Sequence, residues 1–286
     1  MSIVYLNDQY LAEEDAKVSI NDAGYYYGDG FYEVILLRDG KLIDEDLHFN
    51  RLTANFKTLF FKNYPSRETI VDIVHNVVAK NQASFGAVYI QCTRGCAPRT
   101  HDFVDLNLKP TILVKINGIG DDYFATEICK WHCCIVEDPR RLRCDVKMIS
   151  LLPMVMAKYE AESNGFDDVI FYNNSCNSIT EGSSFNVFMV GSDDKIITCP
   201  MGNQILPGCT RARVIELMKA EGLSFEERFI SKEEFYNAKE VFLTASLKIN
   251  AITKIDGKMI HNGEVGEITK RVRDLYIKFM DTYTNE

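Results

Sequence analysis

The chain has 286 residues, enough for one large or two ordinary domains with a full hydrophobic core. Hydrophobic residues make up 46% and charged residues 26%, a globular composition that excludes extended disorder, collagen and coiled coil. The formal net charge of −9 argues against a protein that binds nucleic acid or an anionic membrane. The N-terminus lacks a signal-peptide pattern, and no apolar run reaches the roughly 18 residues of a transmembrane helix. We therefore expect a cytoplasmic protein.

The chain contains nine cysteines, an odd number for a disulfide framework. In a chain of this size without a secretion signal, we expect reduced thiols that pack as small hydrophobic side chains. There is no pair of CxxC motifs and no nearby pair of histidines at ligand spacing. We therefore expect no metal site.

Strands and amphipathic helices alternate along the first 117 residues. Alternating apolar residues and turn signals at Asn7-Asp8 and Asp39-Gly40 predict strands at 3–6, 9–11, 31–37, 86–93 and 110–116. Apolar residues at helical spacing predict helices at 46–60 and 66–81, the second with Ser66 as its N-cap. Strands joined mostly as hairpins, with helices interposed, predict an α+β domain over residues 1–117.

A segment rich in glycine and aspartate at 118–122 is the predicted linker to a second domain over residues 123–286. The second domain shows strand patterns at 127–136, 168–172, 186–190 and 240–244. It also shows helix patterns at 151–164, 210–221 and 263–283. The predicted fold class is therefore α/β, with an α+β N-terminal domain and a larger, mixed α/β C-terminal domain.

Two short motifs contain residues with possible chemistry. In YGDGFYEV, at residues 27–34, two glycines permit a tight bend before a strand, although for this motif alone a simple turn is the favoured interpretation. In DVKM, Lys147 follows an apolar stretch, and a buried amine with a lowered pKa can form a Schiff base with an aldehyde. A surface lysine is the alternative interpretation.

Two further motifs lie in the second half of the chain. In ITEGSSFNVF, Glu181 precedes a glycine and two serines, which indicates either a carboxylate in a pocket or a solvated turn. In ILPGCTR, Thr210 is a candidate N-cap, and the exposed N–H groups of the first helical turn attract anions. An ordinary capped helix is the alternative.

Taken in order, the motifs YGDGFYEV, HFNRL, LRCDVK, ITEGSSFNVF, ILPGCTR and LTAS resemble the class IV (fold type IV) pyridoxal phosphate enzymes. That family includes D-amino acid transaminases, branched-chain transaminases and aminodeoxychorismate lyases. The resemblance runs from Tyr5 to the last helix. It implies two domains with pyridoxal 5′-phosphate bound between them.

The resemblance implies roles for individual residues. Lys147 is expected to form the Schiff base with the cofactor. Lys158 is the rival, but it lies in a predicted helix beside Glu160 and Glu162, a pattern typical of a solvated lysine. Glu181, 34 positions after Lys147, is expected to face the pyridine nitrogen and keep it protonated.

The resemblance also implies a phosphate site. Arg51, in HFNRL, is expected to bind the cofactor phosphate, and His48 to support the network of Glu181 unless it is simply a histidine at a helix start. Phe185 stands where related D-amino acid enzymes often have a third serine, which either removes a hydroxyl near the ring or adds bulk to the core. The other expected cofactor contacts are Ser183, Ser184, Cys209, Thr210 and Ser246.

The loop TRGCAPRTH contains an Arg-x-His pair, Arg99 and His101, of the kind that D-amino acid transaminases use to bind the substrate α-carboxylate. With the hydroxyl of Tyr32, these side chains supply the N–H and O–H donors that a carboxylate needs. In those relatives the pair reaches across from the partner subunit, which implies a homodimer. Arg94 is a candidate for a second substrate carboxylate.

The resemblance therefore predicts a pyridoxal-phosphate-dependent aminotransferase. The expected reaction is reversible transamination between a D-amino acid, D-alanine first, and a 2-oxo acid such as 2-oxoglutarate. The alternatives are a branched-chain L-amino acid aminotransferase, an aminodeoxychorismate lyase, or a pyridoxal-phosphate-binding protein without turnover.

Overall fold

The computed structural model describes residues 2–101, 107–119, 127–140, 143–246 and 248–285. The chain divides into two compact units, one of Met1–Tyr123 with Val146–Ser150 and one of Phe124–Asp145 with Leu151–Glu286. Each unit has its own sheet and its own hydrophobic core, and helices accompany both, so the mixed α/β class is confirmed. The predicted linker at 118–122 lies partly outside the described residues.

The strands of the first unit form an antiparallel sheet in the order β2-β1-β6-β5-β3-β4. In the described part of this unit, the strands are β1 (Ile3–Leu6), β2 (Gln9–Ala12), β3 (Gly30–Arg38), β4 (Lys41–Leu42), β5 (Gly86–Thr93) and β6 (Thr111–Asn117). The helices are α1 (Ala23–Tyr27), α2 (Glu45–Thr58) and α3 (Arg67–Lys80).

Local sequence signals account for most of these elements. Asn7 and Asp8, at φ of 47° and 69°, form the turn that joins β1 to β2 in the predicted hairpin. The Ser66 hydroxyl accepts a hydrogen bond from the Thr69 N–H at 3.2 Å, which confirms the predicted N-cap of α3. The short helix α1 was missed because it has only five residues.

The core of the first unit forms where α2 and α3 lay their apolar faces against the sheet. Both helices repeat buried residues at helical spacing, and β3 and β5 supply inward side chains. Full burial of each large apolar side chain contributes about 1.5–3 kcal/mol. The central members are Phe31, Ile35, Phe49, Leu52, Phe56, Val74, Val77, Val88 and Ile90.

The second unit contains the larger sheet. Its described strands are β7 (Lys130–Glu137), β8 (Asp168–Asn173), β9 (Ser178–Gly182), β10 (Asn186–Val190), β11 (Ile196–Thr198), β12 (Phe225–Glu227), β13 (Glu240–Ala245), β14 (Lys248–Ile255) and β15 (Lys258–Met259). Its helices are α4 (Leu152–Ser163), α5 (Cys209–Ala220), α6 (Lys232–Tyr236) and α7 (Glu267–Asn285).

The strand order of this sheet is β12-β11-β10-β13-β14-β7-β8-β9, and β9 pairs again with β10 where Glu181 lies opposite Asn186. The path from β10 through β13, β14, β7, β8 and β9 therefore closes into a ring. β7 runs parallel to both β14 and β8. The sequence predicted neither β9 nor β14 as a strand.

The lysine segment differs from its predicted place. Lys147 was expected in the C-terminal domain, but Val146–Ser150 belongs to the first unit. The Tyr32 N–H donates to the Lys147 carbonyl at 2.9 Å, and the Ile149 N–H donates to the Gly30 carbonyl at 3.1 Å. Val146 is buried in the core of the first unit. Pairing with a strand over 100 residues earlier decides the placement, and sequence position alone does not reveal it.

No helix among the described residues is both long and apolar enough to cross a membrane.

Candidate active site

Lys147 lies on the irregular segment that hydrogen-bonds to β3. Its Nζ sits 4.4 Å from the ring centroid of Tyr32, the residue whose N–H holds the Lys147 backbone. The Tyr32 ring in turn lies 5.8 Å from that of Tyr89 on β5. The structure thus brings together two of the predicted site residues, the lysine and the tyrosine of the carboxylate trap.

A buried ion pair lies one residue further along β3. Glu33 is fully buried and accepts two hydrogen bonds from Arg51, each at 2.7 Å, and lies 2.9 Å from His48 Nδ1. Burial acts to raise the pKa of Glu33, but the Arg51 charge and the bonds from Arg51 and His48 outweigh it and lower the pKa to about 2.

This pairing fixes the direction of the Arg51 guanidinium, the predicted phosphate ligand. It also gives His48 a partner in the first unit, Glu33, which agrees with the alternative interpretation of His48 as a hydrogen-bonded histidine at a helix start. Glu33 itself was missed. The available signal was a single carboxylate in the middle of the apolar strand FYEVILL.

Arg94 is engaged within the first unit. Its guanidinium donates to both oxygens of Asp29, at 2.6 and 3.0 Å, and to the Leu59 carbonyl at 2.9 Å. It also lies 4.5 Å from the ring centroid of Phe61, and the residue is buried. This arrangement does not support the hypothesis that Arg94 binds a second substrate carboxylate.

Arg99 and His101 are exposed, and both lie against Tyr27. The Arg99 guanidinium carbon is 5.9 Å from the Tyr27 ring centroid, and the His101 and Tyr27 ring centroids are 6.2 Å apart. The Tyr27 hydroxyl donates to the Thr100 carbonyl at 2.9 Å. The two predicted carboxylate ligands therefore share one aromatic support, which the sequence did not single out.

In the second unit, Glu181 is buried on β9 with hydrogen bonds to both of its oxygens. Arg140 donates to Oε1 at 2.5 Å, while the Asn186 side chain and the Leu206 N–H donate to Oε2 at 3.0 and 2.9 Å. A carboxylate has about four acceptor positions, so these three bonds leave capacity for a further donor. Arg140 also donates twice to Asp138, at 2.9 and 2.7 Å.

Burial raises the pKa of Glu181 above its ordinary value, and Asp138 adds to the rise. The Arg140 charge and the Leu206 N–H act in the opposite direction. Arg140 and Asn186 were not predicted, because they lie 41 and 5 positions from Glu181 and neither spacing has a diagnostic pattern. The carboxylate is thus a desolvated acceptor held in a fixed position.

The start of α5 is tied to the same network. Asn186 donates to the Leu206 carbonyl at 3.0 Å, and a Cβ on Gly208 would lie 2.1 Å from Asn186 Oδ1. Only glycine can lie this close to the Asn186 side chain. Gly208 is the N-cap residue of α5, which therefore has no side-chain cap. The prediction of Thr210 as the N-cap is therefore wrong, because Thr210 is the second residue of α5.

The hydroxyl of Thr244 is a second feature near this network. Thr244 lies opposite Asn186 in the pairing of β10 with β13, and its Oγ1 is buried with no hydrogen-bond partner among the described residues. A buried hydroxyl without a partner is costly unless a ligand or water satisfies it. Ser246, the predicted contact from this stretch, is exposed in the turn that follows β13.

Lys158, the rival lysine, is an ion-paired helix residue. It lies 2.9 Å from buried Asp168 and 3.0 Å from Glu162. Burial acts to lower the pKa of Lys158, but the bonds to Asp168 and Glu162 outweigh it and raise the pKa. Ser183, predicted as a cofactor contact, donates its hydroxyl to the same Asp168 oxygen at 2.9 Å.

Phe185 belongs to the core of the second unit. Its ring packs edge-on against Trp131, with centroids 5.6 Å apart, and a Cβ on Gly182 would lie 2.0 Å from it. The open question about Phe185 is therefore answered by core packing. Ser184, between them in sequence, is exposed.

All nine cysteines are free thiols. In the part of the chain that the structure describes, no group of three or more histidine, cysteine, aspartate or glutamate residues is arranged to hold a metal ion.

Comparison with known proteins identifies the family. Residues 30–255 match the family model for amino-transferase class IV. The chain belongs to the class IV aminotransferases. The family resemblance of the sequence motifs is thereby confirmed, and the enzyme depends on pyridoxal 5′-phosphate like other members of the family.

Class IV relatives cover the chain from end to end. A D-alanine aminotransferase of Staphylococcus haemolyticus is 33% identical over 283 residues, covering 99% of each chain. A branched-chain amino acid aminotransferase of Escherichia coli superposes with a TM-score of 0.89 at 22% identity, covering 97% of this chain and 94% of that one. A second branched-chain enzyme, from T.th. and solved with pyridoxamine 5′-phosphate, gives a TM-score of 0.88 at 21% identity, covering 97% and 93%. These likenesses confirm the fold type IV architecture.

Proposed function

We propose that this class IV aminotransferase catalyses reversible transamination between a D-amino acid and a 2-oxo acid. D-alanine is the proposed amino donor and 2-oxoglutarate a proposed acceptor. Two observations support the substrate class: the full-length similarity to a D-alanine aminotransferase, and the loop that presents Arg99 and His101.

The observation that carries the proposal is the setting of Lys147. Its backbone is held by β3, and its amine lies over the Tyr32 ring at 4.4 Å. Lys158 lies in α4 and forms ion pairs with Glu162 and Asp168. We therefore assign the Schiff base to Lys147, which lies beside Tyr32, a proposed ligand of the substrate carboxylate.

The residues present fit pyridoxal phosphate. The first-turn N–H groups at Cys209 and Thr210, with no side-chain cap, attract a phosphate. The Thr244 hydroxyl, which has no hydrogen-bond partner in the described part of the chain, adds a donor. Arg51 supplies a positive charge whose direction is fixed by Glu33. When bound, the cofactor supplies an aldehyde that amines can attack and a ring that withdraws electrons from the substrate α-carbon.

Glu181 and Lys147 then have distinct tasks. Glu181 has acceptor capacity for one more donor, so we assign it to the ring nitrogen, where it holds a proton in place. A positive charge beside the carboxylate favours its ionised form, which opposes the effect of burial. The Lys147 amine would be the base that takes the proton from the substrate α-carbon.

The substrate carboxylate is assigned to Arg99, His101 and Tyr32. Arg99 offers a planar fork of N–H donors, and His101 and Tyr32 each add one donor. Where the carboxylate is anchored decides which enantiomer presents its α-proton to Lys147. This anchor corresponds to the one used for D-amino acids in the family. We assign Ser183, Ser184 and Ser246 no more than a supporting role in cofactor binding.

We also propose a cytoplasmic homodimer in which Arg99 and His101 of one protomer complete the site of its partner. An apolar stripe on α4 supports association, since large hydrophobic side chains at i, i+3, i+4 and i+7 are exposed on it. Its members are Leu152, Val155, Met156 and Tyr159. Sedimentation velocity should give twice the monomer mass.

The test is a half-reaction with each enantiomer. The purified enzyme, loaded with pyridoxal phosphate, is mixed with D-alanine, L-alanine or L-leucine, and the visible absorbance of the cofactor is followed. We expect D-alanine alone to convert the cofactor to its amine form, with pyruvate released. 2-Oxoglutarate should then restore the original spectrum, and steady-state kinetics should be ping-pong.

Other outcomes contradict the proposal. Conversion by L-leucine but not D-alanine indicates a branched-chain enzyme. Release of pyruvate from aminodeoxychorismate indicates a lyase. A yellow protein that no amino acid converts is a carrier of the cofactor without turnover.

A further inference from the structure

Tyr27 contacts three consecutive residues of the loop that carries the Arg-x-His pair. Its hydroxyl donates to the Thr100 carbonyl at 2.9 Å. Its ring lies 5.9 Å from the Arg99 guanidinium carbon and 6.2 Å from the His101 ring centroid. A single side chain therefore anchors the backbone between Arg99 and His101 and supports both of their side chains.

The position of Tyr27 is fixed by what surrounds it. Tyr27 is the last residue of α1, and Gly28, at a φ of +64°, ends the helix in the left-handed region that glycine tolerates. A Cβ on Gly28 would lie 3.0 Å from the Cβ of Ser150, the last residue of the lysine segment. The close packing at Gly28 thus fixes the backbone at the end of α1, while the Tyr27 residue itself is 39% exposed.

Backbone hydrogen bonds join the start of α1 to the first part of the loop that carries Arg99 and His101. The Ala23 N–H donates to the Gly95 carbonyl at 2.9 Å, and the Ala97 N–H donates to the Asn21 carbonyl at 3.1 Å. Beyond Ala97, the Tyr27 side chain supplies the bond to the loop at Thr100. Arg99 and His101 are exposed, so few neighbouring atoms restrict their side chains. Contact with the Tyr27 ring reduces the number of conformations that these side chains sample.

We propose that Tyr27 is a positioning residue that sets Arg99 and His101 for the substrate carboxylate. This inference rests on the proposed function, because it gives these two side chains their ligand. An arginine and a histidine that are already oriented bind a carboxylate without the ordering cost that free side chains bear. Loss of Tyr27 should therefore weaken substrate binding while leaving the cofactor in place.

The first test compares Tyr27→Phe and Tyr27→Ala with Tyr25→Ala. Tyr25 is a matched control, because it lies on the same helix, its side chain is 78% exposed and its ring contacts Tyr26. Losing the hydroxyl bond in Tyr27→Phe should raise the KM for D-alanine about two- to tenfold. Losing the ring in Tyr27→Ala should add about two- to fivefold. The kcat and the visible cofactor spectrum should change little in either variant.

A double-mutant cycle separates positioning from a general structural role. If Tyr27 acts through its loop partners, Tyr27→Ala should raise KM by less than about twofold in an Arg99→Ala, His101→Ala background. An equal KM effect in both backgrounds would overturn the inference, as would a loss confined to kcat. An unchanged KM in both Tyr27 variants would also overturn it.

Limited trypsin digestion gives a readout that does not depend on activity. The bond after Arg99 should be cut faster in Tyr27→Phe and Tyr27→Ala than in the wild type or Tyr25→Ala. Equal cutting rates would contradict the inference even if the enzyme proves active on D-alanine. If instead the wild type is inactive on D-amino acids while the Tyr27 variants are cut faster, the proposed function fails and Tyr27 remains an anchor of the loop without the proposed ligand.

Discussion

Two buried glutamates, one in each unit, show that a glutamate paired with an arginine can have its pKa shifted in either direction. Glu33 and Glu181 are both buried and each is paired with an arginine, yet the pKa of Glu33 falls to about 2 while that of Glu181 rises. Glu33 receives two bonds from Arg51 and a third contact from His48. Glu181 receives one bond from Arg140, which also donates to Asp138.

The difference in pKa lies in how many carboxylates share the N–H donors of each arginine. Arg51 presents two N–H groups to one carboxylate, so its charge compensates the burial of Glu33. Arg140 serves two carboxylates, and Asp138 adds a negative charge near Glu181. Glu33 is therefore suited to hold Arg51 rigidly. The charged form of Glu181, in contrast, is incompletely stabilised, and a further positive charge beside it would stabilise it. The protonated ring nitrogen of the cofactor is a group that can supply this charge.

The largest expected effect is on stability and concerns Glu33→Gln. This change removes the carboxylate charge that faces Arg51, whose side chain is only 9% exposed, so we expect the unloaded protein to lose about 3–5 kcal/mol of unfolding free energy. Urea denaturation measures it. The control is Glu216→Gln, because Glu216 forms an exposed pair with Arg213, and this variant should stay within about 0.5 kcal/mol of wild type. A loss of stability in Glu33→Gln as small as that of the control would contradict the role of Glu33 as the stabilising counter-ion of Arg51.

Glu181→Gln should show the reverse pattern. Since the charged carboxylate is poorly stabilised in the unloaded protein, we expect a stability loss of no more than about 1–2 kcal/mol. We expect kcat to fall by about 100- to 1,000-fold, because a neutral amide no longer offers a full charge to the protonated ring nitrogen. Steady-state assays with D-alanine measure this. A large stability loss with near-normal kcat would assign Glu181 to structure alone.

The two carboxylates should also give pH dependences of opposite sign. The lowered pKa of Glu33 stabilises the fold above pH 4.5, and this stability, roughly 3 kcal/mol, is lost as pH falls from 4.5 toward 2. The raised pKa of Glu181 acts in reverse, since its contribution is present below pH 4.5 and is lost as pH rises through the pKa of the folded state.

Unfolding free energies from pH 3 to pH 8 for wild type and both glutamine variants test these signs. The stability gap between wild type and Glu33→Gln should narrow toward acid. The gap between wild type and Glu181→Gln should shift in favour of the variant as pH rises. Parallel curves for the two variants would refute the assigned pKa directions.

A smaller effect than that of Glu33→Gln is expected for Asn186→Ala. Asn186 bridges Glu181 and the Leu206 carbonyl, so its loss removes two hydrogen bonds at a buried site and should cost about 1–3 kcal/mol. The pKa of Glu181 should rise further. Equilibrium unfolding and the acid limb of the activity profile measure both effects. Unchanged values would show that Asn186 does not support Glu181.

The sequence predicted the parts of the fold that depend on local signals. The hairpin at Asn7-Asp8 and the N-cap at Ser66 follow from turn and capping chemistry within a few residues. The strand that carries Glu181 was missed because five buried residues show neither helical nor alternating periodicity. The lysine segment was misplaced because its pairing with β3 is long-range.

The same limit applies to the candidate site. Ordered motifs and a family resemblance pointed to Lys147 and Glu181, yet their supporting residues depend on the tertiary fold. Arg140 reaches Glu181 across 41 positions, and Tyr27 reaches Thr100 across 73. Such pairings leave no periodic trace in a single sequence.

The most direct test of the account is chemical identification of the lysine that holds the cofactor. Borohydride reduction of the loaded enzyme fixes the cofactor to its amine, and peptide mass spectrometry then locates it. We predict the added mass on the peptide that contains Lys147, with loss of turnover, visible absorbance and label in Lys147→Ala. A label on Lys158, or an intact visible band in Lys147→Ala, would contradict the account.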